Sequence, residues 1–280
     1  MSYSIKSIFK RYKWKISITF FLLTTENILK IIQPFVLGIA INDLIQKKNN
    51  GILLFCLLYG LSFITGVIRR YYDTRAYTFI YTNIATEIAE KQHENNVSVS
   101  SISARSSLVK ELVDFFEHDV TQIFSSVISV VGALFMLTFF SWSIFWISIG
   151  VIFLIFLIYS FSNNTIYKYN LGLNDELEHR INILESKKTT NTYNHFNNIS
   201  KWLVKLSDLE TLNFGIIEVI LFGLVIFSLY IAAGTMTATA GGIFSIVTYV
   251  IEFSTGIYML PFVFQQLIRL KEISSRIQKV

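Results

Sequence analysis

Apolar positions run along this chain in blocks far longer than the core of a water-soluble protein requires. Residues 120–167 contain no Asp, Glu, Lys or Arg, and from Leu212 to Ile268 the only charged residues are Glu218 and Glu252. A helix needs roughly 20 apolar residues to cross a hydrocarbon layer about 30 Å thick. The first block therefore holds two spans, turning at "FFSWS" (139–143). The same reading puts span 1 at about Ile16–Ile45 and span 2 from Gly51. Span 5 covers roughly Leu212–Ala233, and span 6 runs from "AAGTMTATAGG" to the end of the sequence. "ISITFFLL" follows basic residues but precedes no small-residue cleavage site, so it reads as a retained span and not as a signal peptide.

The polar connections are patterned as well. The two long segments between spans 2 and 3 and between spans 4 and 5 contain no proline, and Gly172 is their only glycine. Ala76, Phe79, Ile80, Ile84 and Ile88 recur at steps of three and four, as do Leu108, Leu112, Phe115, Phe116 and Val120. Such steps keep one helical face apolar. A helix from Leu108 to Phe140 is about 50 Å long, roughly 20 Å more than the hydrocarbon layer. Short breaks are expected near "VSVSSIS" (97–103) and near "SKKTTN" (186–191), or slightly earlier around "GLNDE". The pattern predicts an all-α membrane protein of six long transmembrane helices, with two helical hairpins beyond the bilayer.

Charge orients it. Of 24 Lys and Arg, 21 fall before span 1, in the two long connections or after Ile268, against Lys47 and Lys48 in the short turns and Lys30 within a span. The positive-inside rule then places both termini and both hairpins in the cytoplasm. A net charge of +5 follows from this topology and calls for no nucleic-acid partner. The single Cys56 excludes a disulfide framework. "NVS", "NIS" and "NNT" match the glycosylation pattern by chance on the cytoplasmic side. His93, His118, His179 and His195 lack metal-ligand spacing and read as solvated. No nucleophile–base arrangement is visible, so no catalytic, cofactor or metal site is expected, and the chain is not read as an enzyme.

One stretch is more specific. "GTMTATAGGIFSIVTYVIEFSTGIYMLPFVFQQLIRLKEISSRI" resembles the sixth helix of the membrane domain of ABC exporters, at Gly234, Thr239, Gly241, Tyr249, Pro261, Ser274 and Arg276. "RSSLVKELVDFFEHDVTQI" is similar to the entry of that family's third helix, with Asp119 at its acidic position. The resemblance covers residues 1–280 as a single transmembrane domain. It implies a homodimer in which each long hairpin crosses to the partner. In that family an ATPase domain usually follows helix six. Here no Gly is followed by Lys, so the phosphate-binding loop is absent and no nucleotide-binding domain is expected in these residues.

A charge at mid-bilayer costs several kcal/mol and is by default a functional candidate. Glu26 lies about 16 Å into span 1, Glu252 about 15 Å into span 6 and Glu218 about 12 Å into span 5. Low dielectric favours the protonated form of a carboxylate, so such a group can carry a proton between two sides. Lys30, four residues after Glu26, shares its helical face and can neutralise it. The alternative for Glu218 and Glu252 is a hydrogen bond between helices. Pro34 is expected to kink span 1. "IRRYYDTR" (68–75) reads as an anchor at headgroup level, with Arg69 or Arg70 as a lesser candidate for attracting an anion. The expected protein is a transporter in bacterial inner-membrane lipid. It moves an amphipathic small molecule or peptide by alternating access, coupled to protons through Glu252. The alternative is the membrane subunit of an ABC transporter powered by a separate ATP-binding subunit.

Overall fold

The computed structural model describes residues 5–94, 97–180, 183, 189–234, 239–259, 263, 266 and 270. Among them there is no strand, and six helices are long and apolar enough to cross a membrane. In chain order the elements are α1 (Ile5–Arg11), α2 (Lys13–Ile45), α3 (Asn50–Glu94) and α4 (Val99–Asp114). A π-helical turn (Phe115–Val120) leads into α5 (Thr121–Phe140), followed by α6 (Trp142–Glu178), α7 (Thr189–Gly234) and α8 (Ala240–Tyr258). Pro261, Ser274, Arg276 and the end of span 6 lie outside the described residues, as does part of the break expected at 186–191. The other break is shorter than the sequence predicts: the helix resumes at Val99, nine residues before Leu108.

The 45 residues of α3 and the 46 of the α7 segment correspond to about 67–69 Å of helix, more than twice a hydrocarbon layer. The chain divides into two compact units, one of Met1–Ser141 and Ile231–Val280, the other of Trp142–Tyr230.

The first unit changes its packing chemistry along its length. At the basic end, Ile8 and Ile16 close over Tyr77, Ile80, Ile84 and Ile88 of α3 and over Val109, Leu112, Val113 and Phe115. In water each such aliphatic side chain contributes about 1.5–3 kcal/mol on burial. Arg11 ties α1 to α3 through Glu87, at 2.5 Å. Within the apolar region lipid is as greasy as leucine, so helices associate through small residues and polar contacts instead. There α2 packs against α3, α5 and α8, and α5 against α8. Gly132 lies under the side chain of Ile31, and Gly256 under Val130.

The turn between α2 and α3 is made without glycine. Lys47 takes a left-handed conformation (φ 60°), and the amide of Lys48 donates back to the Asp43 carbonyl at 2.8 Å. The Asp43 carboxylate accepts from the Gly51 amide at 2.9 Å and so satisfies the start of the next helix. Gly51 rests against the backbone of Ala40, which lets the two helices meet closely.

In the second unit α6 and α7 form an antiparallel hairpin. The Ser162 hydroxyl donates to Asn213 Oδ1 at 2.8 Å, and the ring of Trp202 fills the space above Gly172. Buried Ile144, Ser148, Val151 and Ile155 on α6, and Asn213, Ile217, Leu221, Leu224 and Ser228 on α7, recur at steps of three and four. His195 is not solvated as its polar surroundings in the sequence predict. Its ring is fully buried, with Nδ1 2.8 Å from Glu176 Oε1.

Candidate functional site

Three features of the first unit set the geometry around the charges within the spans. The first is a strip of contacts between α2 and α8. Thr239 caps α8 by accepting from the Gly242 amide. The Asn42 side chain binds this cap twice, donating to Thr239 Oγ1 at 3.0 Å and accepting from the Gly241 amide at 2.9 Å. Gly38 and Gly241 are in such close backbone approach that a Cβ on either would overlap the other. Below them the Ser245 hydroxyl lies 2.8 Å from the Pro34 carbonyl, and the Tyr249 hydroxyl donates to the Ile31 carbonyl at 2.7 Å.

The register of α8 follows from this strip. Gly38 faces Gly241, Pro34 faces Ser245 and Ile31 faces Tyr249, so the helices run antiparallel and Glu252 falls opposite about Ile28. That is two residues, or about 3 Å of rise, from Glu26. The two carboxylates lie at nearly one depth, as their distances along the sequence predict.

The second feature is an ion network between α2 and α3. Glu26 is 3% exposed and both its oxygens are occupied: Oε1 by Lys30 Nζ at 2.7 Å and Oε2 by Arg69 Nε at 2.5 Å. Arg69 Nη1 also donates to Asp73 Oδ2 at 2.7 Å, and the Thr19 hydroxyl lies beside the same carboxyl. A Cβ on Gly66 would stand 3.2 Å from Glu26 Oε1, so the carboxylate rests against bare backbone. The headgroup-anchor reading of residues 68–75 is thus corrected at two positions. Arg69 turns inward because Glu26, buried on the facing helix, requires a cation, and Asp73 turns with it to accept from the guanidinium. Asp73 was missed altogether. Its i,i+4 spacing from Arg69, with Gly66 one turn earlier, is the signal in the sequence that could have found it.

The third feature is a polar stripe on α8. Gly241, Ser245, Thr248, Glu252, Thr255 and Met259 succeed one another at steps of four and three, which align them along one side of the helix. Ser245 is buried against α2, whereas Thr248 and Glu252 are partly exposed and Thr255 is exposed. The two threonines bond back to their own helix, to the carbonyls of Phe244 and Ile251. No hydrogen-bond or ion-pair partner of Glu252 occurs among the described residues. Glu218 lies in the other unit, on an exposed face of α7.

The three candidate carboxylates are therefore unlike. Glu26 is saturated by two cations, Glu252 is half-buried with no partner among the described residues, and Glu218 is exposed from its own unit. Among the described residues no group of His, Cys, Asp and Glu has the arrangement of a metal site.

The model of the ABC transporter transmembrane region matches residues 5–241. The chain belongs to this family. It is an integral membrane protein with an ABC transporter membrane fold, and six apolar helices carry that fold here. No curated protein matches the sequence. The family match ends at Gly241, so this transmembrane region carries Thr248, Glu252 and Thr255 beyond the matched residues. Its 280 residues contain no phosphate-binding loop.

Proposed function

We propose that residues 1–280 form a single transmembrane domain that works as a homodimer in a bacterial inner membrane, with both termini cytoplasmic. The dimer moves an amphipathic small molecule or peptide by alternating access, and Glu252 couples that movement to protons. The observation that carries this reading is the half-buried Glu252 on the polar stripe of α8, which has no hydrogen-bond or ion-pair partner among the described residues. A carboxylate held by two cations, as Glu26 is, has little freedom to change charge; Glu252 has that freedom. Only a group whose charge differs between two conformations can link proton movement to their equilibrium. The dimer is supported by the second unit, whose hairpin packs on itself and leaves Glu218 uncovered.

A spin label at exposed Glu90, near the basic end of α3, reports the separation of two copies without any cargo. In liposomes the distance distribution should shift between acidic and alkaline buffer in the wild type and stay fixed in Glu252→Gln. An equal shift in both would remove Glu252 from the coupling. A distribution that moves only with ATP and a second protein would make the chain the membrane subunit of a split ABC transporter.

A further inference from the structure

We infer that the cargo carries a positive charge and binds at Glu252 in exchange for a proton, a conclusion that rests on the transport reading above and gives its cargo a chemical class. A charge balance carries it. In the first unit the ionised groups within or at the edge of the apolar region that the structure pairs are Glu26 and Asp73 against Lys30 and Arg69, linked at 2.5–2.7 Å. Two carboxylates and two cations cancel. Among the described residues Glu252 is left over, so an ionised Glu252 gives them one uncompensated negative charge.

Lys30 does not alter this. Its side chain is 53% exposed, but its ammonium holds the oxygen of Glu26 that Arg69 does not reach. An anionic cargo drawn to Lys30 would add to the surplus and compete with that pair. A cation at Glu252 removes the surplus.

The groups around Glu252 fit such a guest. From α2 the charged residues at its level are Glu26 and Lys30, already paired. From α5 there are none, because residues 121–140 contain no Asp, Glu, Lys or Arg. On α8 itself the neighbouring titratable group is Tyr249, whose hydroxyl is committed to Ile31. One turn from Glu252, the fully buried ring of Tyr249 packs against Phe140 at 5.9 Å and closes the stripe on the side of α2. The stripe thus offers a carboxylate with a threonine hydroxyl about one turn to either side, oxygen atoms that suit a positively charged guest. When the cation enters, the proton of the Glu252 carboxyl leaves to water and the charge of the site is unchanged. On release the proton returns.

The experiment uses the full chain in nanodiscs, with tetraphenylphosphonium as the cation and tetraphenylborate as an anion of the same size and shape. Calorimetric titrations are corrected against empty nanodiscs. Tetraphenylphosphonium should bind more tightly than tetraphenylborate, and proton release in weak buffer should accompany it. Glu252→Gln should weaken cation binding by about ten- to a hundred-fold, the worth of one bond to a charged group, and abolish the proton release. Glu252→Asp, which keeps the carboxylate, should retain both and separates this effect from misfolding.

Equal or tighter binding of tetraphenylborate, or unchanged cation binding in Glu252→Gln, would overturn the inference. The spin-label measurement needs no cargo, so the two readings fail separately. A dimer that shifts with pH and ignores tetraphenylphosphonium loses only its cargo class. One that binds the cation and does not shift keeps the site and loses proton coupling.

Discussion

Replacing Arg69 with methionine keeps much of the side chain's length and removes its charge, and the structure fixes what is lost. Arg69 makes bonds of 2.5 Å to Glu26 and 2.7 Å to Asp73, two carboxylates that are 3% and 5% exposed. After the change Glu26 still has Lys30, but Asp73 has no cation. Removing one partner of a buried ion pair costs about 3–5 kcal/mol. Insertion scales for a charge at the centre of a membrane helix, about 2.5–3.5 kcal/mol, agree with the lower part of that range. Lys30→Met provides the contrast. Its side chain is 53% exposed and Glu26 keeps Arg69, so the cost should be about 1 kcal/mol or less. Unfolding in mixed detergent micelles by titration with dodecyl sulfate measures both. The triple variant Glu26→Gln, Arg69→Met, Asp73→Asn, which leaves no buried charge of the original three, should recover most of the loss. If Arg69→Met costs no more than Lys30→Met, or the triple variant is the least stable, the network is not what holds α2 to α3.

Two further outcomes are expected. Asn42→Ala removes both bonds to the start of α8 and should cost about 1–2 kcal/mol in the same titration, comparable to losing a helix cap. A cysteine at Asn49 should react with an impermeant maleimide from outside intact cells, and one at Asn194 only after the membrane is opened, as the bias of Lys and Arg requires; the reverse pattern would invert the topology.

The spans were legible because a block such as residues 120–167 has only one solvent that tolerates it. The helical hairpins were legible for a related reason: uninterrupted steps of three and four, such as Ile80, Ile84 and Ile88, need a partner face wherever they occur. What stayed hidden was which way a polar residue turns at the edge of the apolar region. "IRRYYDTR" supports both an outward anchor and an inward ion pair, and only the depth of Glu26 on the facing helix decides between them. His195 was obscured likewise, because its burial depends on Glu176 in the preceding helix, 19 residues away. For Glu252 the sequence supplied the depth, while its lack of a partner among the described residues could be seen only once α2 and α5 were placed beside α8.

The π turn at Phe115–Val120 has a consequence for how this chain can change over generations. Five-residue turns accommodate one residue more than the α-helix around them, so the turn amounts to a tolerated insertion. Deleting one residue there would restore a continuous α-helix and leave α5 in nearly its present rotation relative to α4, because the wide turn already absorbs the extra residue. The same side of α5 would stay turned toward α2 and α8. In the α-helices on either side a lost residue would turn every later side chain by about 100°, so descendants of this chain should lose a position at the π turn more readily than anywhere else along α4 or α5.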